Sequence, residues 1–340
     1  MTDAPEGGRI TSDNSQLSLF NPGRQERPVE FLVSGSPHLS AINCTATPDI
    51  AKYVAAAIAD NTRRAYRQDL DDFHSWGGVV PCTPEMFAAF IAERASTLSP
   101  HSLTRRVVGI GRAHVSQGYP DPAKNDLVRT VLRGARRTSG VSQRQAAPLL
   151  REDIFALLPN LRGAKGVRDR ALLLLGFAAA FRRSELVALD VQDLQEVPEG
   201  LIVHLRHSKT DQTGEGRKIG VPFGRTSACP VKAVTRWLEV AKIESGPVFR
   251  AVRKGGMIGA ARLSAQAVNL IVKEHVERIG LAASEYSGHS LRSGLVTSAA
   301  RSGVSSYKIR QQTGHRSDAM LARYIRDADL FVGNAAGVLL

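Results

Sequence analysis

The sequence predicts a two-domain, mainly α protein: a helical bundle followed by an α+β domain with a small antiparallel sheet. Three observations predict it. The chain has 340 residues, too many for one core on a prior of roughly 150 residues per domain. Between about residues 48 and 138 apolar residues recur at helical spacing with short connections. Beyond residue 148 two short alternating apolar runs flank a polar turn, which is strand chemistry.

Residues 1–45 hold Gly, Pro, Ser, Thr and Asn without sustained periodicity and read as a disordered tail. Helical patterning starts near Pro48, where Ala51, Val54, Ala55 and Ile58 share a face. Asn61 or Thr62 is expected to cap a second helix carrying Tyr66, Leu70, Phe73 and Trp76, with Gly77-Gly78 ending it. Further helices fit 83–95, 100–117 and 122–137, which completes a bundle over 46–138. The polar stretch 139–148, ending in Pro148, suits a linker.

Residues 149–340 form the second domain. Ala171–Phe181 is an apolar run expected to be a buried helix, and at 11 residues between two arginines it is far short of the ~20 needed to span a bilayer. Residues 201–205 and 218–222 read as strands with 209–216 as the turn between them. Helices then fit 229–242, 264–279, 290–302, 305–313 and 317–325, with Ser264 and Ser317 as caps.

Composition narrows the function. Lys plus Arg number 45 against 32 Asp plus Glu, a net charge of +13, which points to a polyanion, nucleic acid being the commonest. Aromatic residues are only 6%, so gripping duplex phosphates is favoured over stacking unpaired bases. Between Arg129 and Arg151 stand six arginines (129, 133, 136, 137, 144 and 151) and no acid; a solvated helix face is the ordinary meaning, but at a domain junction in so basic a chain the run reads as a phosphate-gripping hinge. Arg63, Arg105, Arg106, Arg133, Arg136, Arg137 and Arg144 are the DNA-contact candidates. Cys44, Cys82 and Cys229 are far apart with no CxxC, which argues against a disulfide framework or cysteine zinc site. Residues 1–30 lack the apolar stretch of a signal peptide, so a cytoplasmic protein is expected. No GxxxxGK[ST], GxGxxG, HExxH or GxSxG is present, which argues against an ATP-driven motor or a zinc hydrolase; no cofactor and no metal are expected.

What remains is an ordered set of basic residues and one tyrosine. Arg182-Arg183-Ser184-Glu185 ends the apolar run, His289-Ser290-Leu291-Arg292 places His and Arg three apart on one helix face, Gly314-His315 follows a helix, and Tyr324 comes nine residues later. Alone, each has a plain structural meaning: an exposed helix turn, a surface pair, a core tyrosine with a satisfied hydroxyl, and for Lys209 a solvated turn. Together they match the needs of phosphoryl transfer: guanidiniums to clamp non-bridging oxygens, an aligned hydroxyl nucleophile and a proton donor for the leaving alkoxide.

That order resembles the tyrosine recombinase (phage integrase) family over nearly all of the folded chain. Residues 61–76 are similar to the start of the family's helical, SAM-like core-binding domain. Arg182-Arg-Ser-Glu185 resembles its Arg-x-[Ser/Gly]-Glu block, His289-Ser-Leu-Arg292 its His-x-x-Arg block and Thr313-Gly-His315 its Leu-Gly-His turn. Ser287-Gly-His-Ser290 and Tyr324-Ile-Arg326 look closest to the Cre-type recombinases. The family's Gly-Leu-Arg is here Ala180-Phe181-Arg182; Arg182, not Arg183, places Glu185 at the family's spacing, and Lys218 lies near Lys209.

The resemblance implies that Arg182 and Arg292 bind the scissile phosphate and that Lys209 protonates the departing 5′ oxygen. His289 would assist proton transfer from the tyrosine, His315 would donate to the phosphate, and Glu185 would steady the site. Tyr324 would become linked to a DNA 3′-phosphate. It further implies a site-specific recombinase on double-stranded DNA, needing neither ATP nor metal. The apolar end (Leu330, Phe331, Val332, Val338, Leu339) could pack on its own domain, but the resemblance favours a helix exchanged between protomers of a homotetramer on two DNA sites. A nucleoid-associated protein of bacterial, phage or plasmid origin is implied. The sibling chemistry is topoisomerase-like nicking and rejoining, and the rival is a non-catalytic DNA-binding regulator or accessory factor.

Overall fold

The computed structural model describes residues 53, 57–138, 145–206, 216–315, 317–319, 321, 322 and 324. The expected tail, most of the linker, Lys209, Arg144 and the apolar end beyond Tyr324 lie outside the described residues. The chain divides into two compact units, one up to Gln143 and one from Arg144. No helix among the described residues is long and apolar enough to cross a membrane.

Among the described residues the first unit holds four α-helices and a single 3₁₀ turn. Helix α1 (Asp60–Ser75) begins one to two residues before the expected cap, because Ala59 takes the cap position and Asp60 meets the helix dipole. Helices α2 (Pro84–Arg94) and α3 (Pro100–Ser116) start where Thr83 and Ser99 accept a backbone N–H and proline fills the first turn. The expected helix 122–137 is split: Pro122–Lys124 is a 3₁₀ turn, and α4 (Asp126–Thr138) restarts after it. The core is aromatic, with Phe73 edge-on to both Phe87 and Phe90 and surrounded by Leu70, Ile91, Leu103, Ile110 and Val128.

The second unit is larger. Residue Leu149 lies across a later helix, its N–H donating to the Ser290 carbonyl at 2.9 Å. Helices α5 (Arg151–Leu157), α6 (Gly163–Ala178) and α7 (Arg183–Ala188) follow. A three-stranded antiparallel sheet comes next: β1 (Leu194–Val197), β2 (Gly200–Leu205) and β3 (Arg217–Pro222), in that order. Helix α8 (Pro230–Ala241) leads to a hairpin of β4 (Arg250–Val252) and β5 (Ile258–Arg262). Helices α9 (Ala265–Arg278), α10 (His289–Arg301) and α11 (Ser306–Thr313) complete it, and residues 318, 319, 321, 322 and 324 are helical. The apolar run of α6 is the centre of the core, with Leu172, Leu173 and Leu175 fully buried among Trp237, Phe249, Val272 and Leu291.

Gly294 on α10 lets the Leu149 backbone approach: a Cβ there would stand 1.8 Å from the Leu149 carbonyl oxygen. Backbone cannot yield as a side chain can, so Gly294→Ala is expected to cost about 3 kcal/mol in urea unfolding. A loss below about 1 kcal/mol would mean that this close approach is not needed.

Candidate functional site

Helix α6 sets the first side chain. It ends in a left-handed turn in which Ala180 has φ of 52°. The Ala180 N–H donates to the Phe177 carbonyl (3.0 Å) and the Phe181 N–H to the Gly176 carbonyl (3.2 Å). That is a Schellman closure with alanine where glycine is usual. The apolar run therefore stops being helical at Ala178, three residues before the sequence expectation, and the chain reverses so that Arg182 caps α7. Buried Glu185 holds it from both sides: one carboxylate oxygen accepts the Arg182 N–H at 2.9 Å, the other its guanidinium at 2.5 Å.

Helix α10 sets the next two. Its first residue, His289, and Arg292 share one face. Arg292 is among the largest fully buried side chains of the protein. It donates through Nη1 to the Ala180 carbonyl (2.7 Å) and through Nη2 to His315 Nε2 (3.2 Å). The strained turn of α6 thus supplies the oxygen that aims Arg292. His289 Nε2 lies 3.0 Å from the Tyr324 hydroxyl. Tyr324 is held by a small cluster of Val296, Ile309 and Leu321.

His315 follows α11 through Gly314, which sits at φ of 67°. Its Nδ1 is 2.7 Å from Thr313 Oγ1, whose own hydroxyl donates to the Ile309 carbonyl at 2.7 Å. Thr313 therefore accepts from Nδ1–H, which leaves Nε2 bare to receive Arg292.

The field of the site is positive. Arg182, Arg292 and Arg217 share one carboxylate, Glu185. Burial, then repulsion from Arg182, pushes Arg292 down to about 10. Burial, then Arg292 and Arg182, pushes His315 down to about 3. His289 shifts down through desolvation and then Arg292 and Arg182, although the residue keeps a solvent-exposed edge. Both imidazoles are thus neutral near pH 7, so His289 can accept a phenolic proton, and the pocket is short of negative charge. Among the described residues no group of three or more His, Cys, Asp or Glu stands together to hold a metal.

A histidine kept neutral in the fold but ionisable in the unfolded chain binds fewer protons when folded. Its contribution is complete above the unfolded value near 6.5 and is lost as pH falls toward the folded value. The thermal midpoint of the free protein is expected to drop between about pH 7 and pH 5, and His315→Gln to flatten that drop. Equal slopes in the two proteins would contradict the assignment.

The expected basic face is divided by the structure. Arg129, Arg133, Arg136 and Arg137 are exposed on one stripe of α4, with Arg136 also donating to Thr104. Arg105 and Arg106 instead serve buried Asp69 and its neighbour Asp72, at 2.7 and 2.8 Å respectively. Arg63 pairs with Asp60 one turn away. Sequence reading missed Arg217, whose signal was its place on the inward side of a strand shared with Ile219 and Val221.

The chain is similar to known proteins in sequence and in fold. The family model described as "Phage integrase family" matches residues 149–330. The chain is 39% identical over 288 residues to the integrase/recombinase xerD homolog of Selenomonas ruminantium, covering 82% of this chain and 84% of that one. It is 27% identical over 279 residues to tyrosine recombinase XerD of Xanthomonas axonopodis pv. citri, covering 76% and 85%. In fold it is similar to XerH site-specific recombinase bound to palindromic difH substrate, with TM-score 0.62, 15% identity, and 86% and 83% of the two chains covered. It is also similar to a lambda integrase dimer bound to a COC′ core site, with TM-score 0.58, 18% identity and coverage of 82% and 94%.

Proposed function

This chain belongs to the phage integrase family of tyrosine recombinases, and on that premise we propose that it is a site-specific DNA recombinase that cleaves and rejoins duplex DNA through Tyr324. One observation carries the assignment of the nucleophile: the Tyr324 hydroxyl meets the His289 ring at 3.0 Å, with Arg182 and Arg292 close enough to bias that ring.

In the proposed reaction Arg182 and Arg292 neutralise the non-bridging oxygens of the scissile phosphate, and Glu185 keeps Arg182 in place. The Tyr324 oxygen attacks phosphorus as its proton passes to His289. The bond to the 5′ oxygen breaks, Lys209 supplies the proton to that oxygen, and a 3′-phosphotyrosine ester remains. The free 5′ hydroxyl of a partner strand then attacks the ester, and the proton returns to Tyr324. Bond energy is conserved across the exchange, so no nucleotide hydrolysis is needed; catalysis is positioning plus charge neutralisation. His315 changes role on binding. Its bare Nε2 can donate to phosphate only after a tautomer shift or protonation, and an arriving anion favours protonation by offsetting the surrounding positive charge.

The first unit is the core-binding domain over 46–138, joined by the linker 139–148 to a catalytic domain over 149–340. The α4 arginine stripe supplies sequence-independent phosphate contacts. The assembly is a homotetramer on two DNA sites. An apolar groove of about 670 Å³, lined by Phe155, Phe177, Phe223, Leu295 and Ile309, suits the apolar end of a neighbouring protomer.

The test begins with a binding site selected from a random duplex library. A nicked duplex carrying that site is incubated with the protein and run on a denaturing gel. A covalent adduct is expected; binding without adduct at any selected site would leave the DNA-binding regulator.

A further inference from the structure

Arg217 opens β3, where Ile219 and Val221 are buried and Lys218, Gly220 and Pro222 are exposed, so its side chain follows the inward face. Its Nη1 donates to the carbonyls of Gln312 (3.1 Å) and Gln311 (3.4 Å), in the last turn of α11. Its Nη2 is buried and has no hydrogen-bond partner among the described residues. A Cβ on Gly314 would come within 2.9 Å of the guanidinium carbon, so the turn and the arginine fit each other. No carboxylate touches this guanidinium among the described residues; the acid whose charge it feels, Glu185, is bonded to Arg182. A half-buried charge with so few partners is a poor device for stability. The Arg217 Nη2 is shielded from solvent, which disfavours direct phosphate contact through that atom.

We propose that Arg217 is a positioning residue for His315: it ties the carbonyl end of α11 to β3 and so holds the Gly314 turn that aims the His315 ring. The Nδ1 side of His315 hangs on that helix end, while Arg292 meets its Nε2. Thr313 receives its Nδ1–H, and Thr313 in turn is anchored on the Ile309 carbonyl. Arginine suits the task because one planar group reaches two carbonyls, which an ammonium does less well. The same side chain links the strand after the Lys209 segment to the helix before His315. This inference rests on the recombinase reading for its kinetic consequence, and on geometry alone for the link between Arg217 and His315.

The test uses full-length Arg217→Met and Arg217→Lys on the selected duplex. Three quantities are read: adduct rate at saturating protein, duplex affinity, and the ¹⁵N ring resonances of His315 in the free protein, assigned by their loss in His315→Gln. The Met variant is expected to slow adduct formation by ~10–100-fold, as a misplaced group does, with affinity within ~3-fold. Its His315 resonances leave the Nδ1–H pattern, and the Lys variant recovers part of both effects. Combined with His315→Gln, Arg217→Met adds little further slowing, since the two act as one unit. Unmoved His315 resonances, or effects that multiply in the double variant, would overturn the proposal. So would a loss of affinity with a salt slope lower by about one phosphate, which would mean direct contact. If Arg217→Met does not fold, Arg217→Lys carries the same readouts. If the wild-type protein forms no adduct, the recombinase reading fails while the ring resonances still decide whether Arg217 holds His315.

Discussion

Tyr324→Phe is expected to remove the covalent adduct entirely, a loss of roughly 10⁴-fold or more, as when a nucleophile is deleted from a site whose other parts remain. Duplex binding is expected within ~3-fold of wild type, because the hydroxyl contacts His289 and not the bulk of the DNA backbone, which supplies most of the affinity. The ring itself is retained, so the contact with Val296, Ile309 and Leu321 persists and folding is unaffected. A variant that still formed adduct at a tenth of the wild-type rate would place the nucleophile elsewhere. Gel quantification of adduct, paired with a binding isotherm on the same duplex, separates the two effects.

Arg292→Met is expected to slow adduct formation by ~10²–10³-fold, the scale of losing one preorganised donor to a developing oxyanion. Its effect on stability runs the other way. Arg292 is buried beside two other guanidiniums, and burial followed by the Arg182 charge pulls it down to about 10. Replacing such a charge with an apolar chain relieves desolvation and repulsion, at the cost of its bonds to the Ala180 carbonyl and His315. The thermal midpoint is therefore expected to be no lower than that of wild type, while activity collapses. A drop of several degrees with activity retained would reverse both assignments. Saturating duplex should raise the wild-type midpoint more than that of the variant, since the phosphate supplies the negative charge that the pocket lacks.

The main features of the site were legible because its chemistry is carried by short blocks. The Arg-Arg-Ser-Glu and His-Ser-Leu-Arg segments each lie within one helix turn, and their order along the chain was enough to assemble them. Caps were legible for the same local reason, at Ser264 for example. What depended on distant partners was hidden. The run from Ala171 to Phe181 contains nothing that ends a helix, yet it ends at Ala178 in a Schellman turn whose Ala180 carbonyl is held by Arg292, 112 residues away. The bond between Arg105 and Asp69 was hidden in the same way, its partners 36 residues apart. Helix α7, of six residues, and the irregular β4–β5 hairpin are too short to show a period. Arg217 fell between the expected turn and the expected strand, and only the alternation along β3 marks it as turned inward.

The linkage between protein and DNA is the most direct measurement. Adduct trapped on the nicked duplex is digested with nuclease and protease, and the nucleotide-bearing peptide is sequenced by mass spectrometry. The expected peptide carries its nucleotide on Tyr324, joined through the 3′-phosphate. A nucleotide on any other residue, or a linkage through the 5′-phosphate, would contradict a tyrosine aligned with Arg182 and Arg292 on one phosphorus.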